Sequence, residues 1–228
     1  DNPLIREKVD VDRSVNRLKA LHTAFIREKA KSADVLAKGP KKIADANNQI
    51  LTYENFKQSR PEKPTKETFS VSIDGKALTD KKVALDTIWV KLGEIPLQDI
   101  NKGPKEVGEY SGYPLFIKKI VVADRIENTV GVKISPDIYL WGKVSPDPVG
   151  TFASLDSAIF SDFNREISFY KESISATEKE MKYAEDLSTK GFQKQEELAE
   201  KLKRQSFIEK ELQKEVEGKV IGGGPESG

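Results

Sequence analysis

Residues 69–80 read Phe69-Ser70-Val71-Ser72-Ile73-Asp74-Gly75-Lys76-Ala77-Leu78-Thr79-Asp80, and this stretch decides the fold class. Phe69, Val71 and Ile73 alternate with serine, the period of a strand with one buried face, and Asp-Gly is a strong short-range hairpin signal. The chain on both sides of the central region keeps a helical period instead. Leu4, Val11, Val15, Leu18, Phe25 and Leu36 recur mostly at three-, four- and seven-residue intervals, which predicts an amphipathic helix over 4–38. Gly39-Pro40 predicts a break, after which Ile43, Ala46, Ile50 and Tyr53 resume the spacing.

Residues 59–67 hold two prolines and no apolar residue, so they read as a linker closing the first helical arm, 1–58. Past the hairpin, Asp80 is placed to cap one short helix carrying Val83, Ala84, Ile88 and Leu92 on a face. Residues 93–112, rich in glycine and proline, read mostly as loop. Strands are expected at 115–122, 129–134 and 138–144, the last bracketed by two Ser-Pro-Asp tripeptides. Residues 68–150 therefore read as an antiparallel sheet of about four or five strands with one helix against it.

From Leu155 a heptad pattern sets in, with Phe160, Ile167, Ile174 and Met181 at one seam position and Phe163, Tyr170, Thr177 and Ala184 at the other. It marks a C-terminal arm over 151–217, broken near Gly191 and continued by Leu198, Leu202, Ile208, Leu212 and Val216. The tail, 218–228, is expected to be disordered. Residues 1–67 hold 15 basic and 10 acidic residues, 68–150 hold 11 of each, and 151–228 hold 12 and 16. Arms of opposite sign and similar length, on the order of 50 Å for about 34 helical residues, suit pairing with each other. The expected fold class is α+β: a long antiparallel helical hairpin with coiled-coil-like arms, and a small inserted sheet-plus-one-helix domain at its tip.

The net charge of +1 removes any global argument for a polyanionic partner and leaves room for a local basic patch. The chain has no cysteine, which excludes disulfides and thiolate chemistry and is compatible with a cytoplasmic location. No run of about 18 apolar residues is present, so no membrane partner is expected. The absence of an initiator Met reads as a piece of something longer, and a monomer is expected for it.

Neither a catalytic nor a metal-binding constellation emerges, and no cofactor is expected. His22 is the single histidine and lies near the apolar stripe of the first helix. Glu178, Glu180, Glu185 and Asp186 sit among lysines and read as a solvated helix face. Gly222-Gly223-Gly224 lacks the Lys-Ser/Thr of a phosphate loop. What remains is a set of aromatic and basic residues in the middle. Aromatic faces interleaved with cations on a sheet are suited to stacking bases and tracking phosphates. The phosphate candidates are Lys118, Lys119, Arg125, Lys133 and Lys143, and the stacking candidates Tyr110, Tyr113 and Trp141, with Tyr139 in the same set. The competing reading makes Tyr139 and Trp141 cross-strand packing and the lysines edge protection.

Several stretches in order resemble one family. They are Asn2-Pro3-Leu4-Ile5-Arg6-Glu7-Lys8-Val9-Asp10 with Val15 to Leu18, then Phe69 to Gly75 leading to Leu78-Thr79-Asp80-Lys81-Lys82, and Leu92-Gly93. Val107-Gly108-Glu109-Tyr110-Ser111-Gly112-Tyr113 and Phe192 with Glu196-Glu197-Leu198-Ala199-Glu200-Lys201-Leu202 complete the set. Together they resemble the region C-terminal to the motor in large Swi/Snf-like DNA helicases of phages, plasmids and integrative elements, many of them DNA methylase/helicase fusions. The resemblance implies a parent polypeptide that hydrolyses ATP and moves along DNA, sometimes joined to an adenine methyltransferase. It implies for this chain a non-catalytic accessory module that contacts DNA, the motor or a neighbouring domain. The alternative is a protein-interaction or self-association coiled coil.

Overall fold

The computed structural model describes residues 2–221; of the tail expected to be disordered at 218–228, residues 218–221 continue the last helix, and the rest lies outside the described residues. The chain is mixed helix and sheet, α+β, and divides into two units. One is built from residues 2–45 with 172–221, the other from 46–171.

The elements, in chain order, are α1 Pro3–Ser59, β1 Val71–Ile73, β2 Lys76–Leu78, α2 Lys81–Gly93, a 3-10 helix Leu97–Lys102, and β3 Lys105–Tyr110. They continue with β4 Tyr113–Val122, β5 Arg125–Lys133, β6 Tyr139–Lys143, α3 Pro148–Ile159, α4 Asn164–Thr189 and α5 Gln195–Ile221. The six strands form one antiparallel sheet in the order β2-β1-β3-β4-β5-β6.

In the sheet-bearing unit, Asp74 and Gly75 both take positive φ, 49° and 76°, and join β1 to β2 in the tight hairpin the sequence predicts. Asp80 caps α2 by accepting from the Val83 amide at 2.9 Å. The segment read as loop holds β3. Val107 is the extra residue of a bulge between Glu106 and Gly108, which hides the alternation that marks a strand.

Two helices, not the one expected, pack on the sheet. Residues 151–159, expected in the C-terminal arm, form most of α3, which belongs to this unit. Asp147 caps it through the Val149 and Gly150 amides, with Pro148 in its first turn. The heptad reading fails at its first repeat. α3 ends at Ile159, and Phe163 stands at φ 58° in the connection before α4. Arg60 donates to the Ile159 and Ser161 carbonyls at 2.8 and 2.6 Å, with its guanidinium 5.5 and 5.8 Å from the Phe160 and Phe163 ring centroids. Backbone carbonyls that would have continued a helix are satisfied by that guanidinium instead.

The core of this unit lies between the sheet and α2 and α3, built from Val71, Ile73, Leu115, Ile117, Val130, Val132, Leu140, Ala84, Ile88, Phe152 and Leu155. In the other unit Val11, Val15 and Ile208 form a buried cluster that Leu4 and Leu212 extend. Around it Glu7 accepts both guanidinium bonds of Arg204 at 2.6 and 2.8 Å, and Asp12 accepts from Gln205 at 2.7 Å.

The interruption expected at Gly39-Pro40 is absent, since α1 runs through it without a break. Gly39 is buried against the thioether of Met181, which a Cβ would strike. Its signature in the sequence was that of a breaker, while its use is close approach. α4 and α5 are separated by residues 190–194, around Gly191.

Candidate nucleic-acid interface

A β-sheet residue and its direct cross-strand partner project from the same face, so the register sorts the candidates. Val71, Tyr110, Leu115, Ile117, Val130, Val132 and Leu140 face the helices and are buried. The other parity carries Phe116, Lys118, Ile120 and Val122 on β4; Arg125, Glu127, Thr129, Gly131 and Lys133 on β5; and Tyr139, Trp141 and Lys143 on β6.

Phe116, Gly131 and Trp141 stand in one row across three strands. A Cβ on Gly131 would come within 2.5 Å of Cε3 of Trp141, so the indole is seated over that glycine. Tyr139 stacks beside it, with ring centroids 5.4 Å apart and planes inclined by 14°. Phe116 meets Tyr139 edge to face at 5.2 Å, and the Lys133 ammonium lies 5.2 Å from the Tyr139 ring centroid. Thr129 has Lys118 and Lys143 as its partners on either side. Lys143 pairs with Glu127 at 3.2 Å, whereas no acidic partner of Lys118, Arg125 or Lys133 occurs among the described residues.

Lys118, Arg125, Lys133, Trp141 and Lys143 are therefore brought to one face. Three predicted residues are not. Tyr110 faces the helices, 1% exposed, and its hydroxyl donates to Asp156 at 2.8 Å. Tyr113 is turned to Phe56, ring centroids 5.0 Å apart. Lys119 alternates to the opposite face and donates to the Ile95 carbonyl at 2.9 Å. Tyr110 and Tyr113 pair directly across the β3–β4 hairpin, so one parity removes both from the site. Phe116 was missed, although its spacing of two from Lys118 carried the signal, and Tyr139 belongs in the cluster.

The same face changes character toward β3 and β1, where Glu106, Glu109 and Ser72 project. A polar groove of about 830 Å³ opens there, lined by Glu62, Lys63, Thr65, Ser70, Ser72 and Glu109 among others. The aromatic-basic patch is thus confined to β4, β5 and β6.

Tyr110 and Asp156 form a buried, hydrogen-bonded titratable pair in this unit. Burial pushes the Asp156 carboxyl above the usual carboxylate range, against the opposing pull of the Tyr110 hydroxyl, Lys63 and Lys81. Burial, followed by the neighbouring Asp156 carboxylate, pushes the Tyr110 phenol up as well. The pair lies under Phe69 and Phe152 in the core, on the face away from the patch. Among the described residues no cluster of three or more metal-ligating side chains occurs, and no helix is long and apolar enough to cross a membrane.

Comparison of the chain with protein-family models, curated proteins and solved structures finds no match.

Proposed function

We propose that this chain is a non-catalytic accessory module of a DNA-processing polypeptide, of the helicase or methylase/helicase type it resembles, and that the outer face of its sheet contacts DNA. The observation that carries this reading is the stacked pair of Tyr139 and Trp141, backed by the buried Phe116, on a face flanked by Lys118, Arg125, Lys133 and Lys143. Aromatic rings give bases a stacking surface, and cations without an acidic partner, here Lys118, Arg125 and Lys133, hold phosphates in register beside them. In this reading the oppositely charged arms pair as an antiparallel hairpin that carries the sheet domain at its tip. The order of contacts supports the pairing: Asn2 with Glu215, Glu7 with Arg204, and Glu28 with Tyr183.

The test is fluorescence anisotropy of labelled DNA titrated with the whole chain at two salt concentrations. Binding with a Kd of about 1 to 100 µM that weakens with salt is expected, and Lys118→Ala with Lys133→Ala should weaken it at least threefold. No salt-sensitive binding to either single- or double-stranded DNA would reject the proposal.

Self-association is the second reading, favoured by the exposure of Ile5, Val9, Leu202, Phe207 and Val216 on α1 and α5. Against it, the α4 seam residues Ile167, Thr177 and Ala184 are buried within the chain itself. The monomer is therefore preferred.

A further inference from the structure

We infer that the ligand of this face is single-stranded DNA, laid along β5 with bases on Trp141 and Tyr139 and its backbone following Lys133, Lys118 and Arg125. This rests on the DNA-contact reading above and names the substrate class of that site.

The cations form a line and not a cluster. Lys133 stands beside Tyr139, Lys118 beside Thr129 two registers past Trp141, and Arg125 at the end of β5 beside Val122. From position 133 to 125 is about 26 Å at ~3.3 Å per residue, which matches on the order of four to five nucleotides of extended strand. Tyr139 stands level with Lys133, and Trp141 between the registers of Lys133 and Lys118, where successive bases of such a strand would pass. A duplex keeps its bases stacked inside and offers Trp141 nothing to stack on.

Charge also disfavours a duplex whose second strand lies toward β3. β3 is two strands from β5, about 10 Å away, and Glu106 and Glu109 project from it on the same face. Such a duplex, lying along β5, would bring its second phosphate backbone over those carboxylates, whereas one strand avoids them. Glu127, which neutralises Lys143, further limits the usable cations to three.

The test uses the whole chain carrying Trp89→Phe. Trp89 lies on α2, away from the patch, so the variant leaves Trp141 as the only indole. Titration with a twelve-residue oligo-dT should quench Trp141 fluorescence, with log Kd rising against log salt at a slope of about 2 for three phosphate contacts. Tyr139→Ala should weaken binding roughly tenfold while Tyr139→Phe retains it, and Arg125→Ala should lower the salt slope by about 0.7. A matched duplex should bind at least tenfold more weakly, and oligo-rU no more tightly than oligo-dT. Duplex binding as tight as single-strand binding overturns this inference and leaves the DNA-contact reading standing. So does binding without any change at Trp141, and oligo-rU preferred tenfold overturns the choice of DNA. No binding to any of the three overturns both.

Discussion

Gly131 and Trp141 make one structural device, since the indole occupies the space above the strand that any side chain at 131 would fill. Gly131→Ala brings its Cβ within 2.6 Å of the Leu140 carbonyl as well as against the ring, so relief by indole movement alone is not available. The variant should lose about 1 to 3 kcal/mol of stability by urea unfolding, and its Trp141 emission should shift toward that of exposed indole.

Asp156 is the second residue with a measurable signature. A carboxyl whose folded pKa is raised contributes stability that is fully present below its unfolded pKa and is lost as pH rises through the folded one. Wild type should therefore lose stability relative to Asp156→Asn as pH rises above the ordinary carboxylate range. The two should run parallel at more acidic pH. Urea midpoints taken from about pH 3 to about pH 8 check this, and a difference independent of pH would refute the assignment. Asn keeps an acceptor for the Tyr110 hydroxyl, so the comparison isolates the charge.

Among the elements, α1 contains the clearest local conflict. Pro40 lies inside a 57-residue helix, exposed, where it supplies no amide to the ladder. Pro40→Ala should stabilise the chain by about 1 to 3 kcal/mol, read as a higher Tm. An unchanged or lower Tm would mean that the proline already suits the local geometry. The β4–β5 hairpin shows a different property. β3 pairs with β4 only to Ile117 and β6 pairs with β5 only from Thr129, so residues 118–128 extend as a two-stranded ribbon. The contact from Lys119 to the Ile95 carbonyl ties that ribbon to the segment before the 3-10 helix. Lys119→Ala should accordingly raise amide exchange across 119–128 without changing exchange in β1 or β2.

At the scale of the molecule, the heptad residues of α4 are engaged by the chain's own helices: Tyr170 with Tyr53, ring centroids 6.4 Å apart, and Met181 with Gly39. Sedimentation velocity should give one species at the mass of a 25.5 kDa chain, unchanged over a hundredfold range of concentration. Dimerisation by mass action would instead support the self-association reading.

Local signals alone determined the α+β class, the Asp74-Gly75 hairpin, the Asp80 cap and most strand positions, because turn geometry and capping depend on neighbours in sequence. Trp141, Lys118, Lys133, Lys143 and Arg125 were also legible as candidates from residue type and spacing. Only tertiary structure could decide which tyrosines belong with them. Tyr110 and Trp141 look alike in sequence, yet strand parity and the bulge at Val107 send one to a buried carboxyl and the other to the open face. The limits of the heptad run were likewise settled by Arg60, ninety-nine residues from the Ile159 carbonyl it occupies. A helix end chosen by so distant a side chain leaves no local trace, because the interaction that satisfies the backbone exists only after the chain has folded.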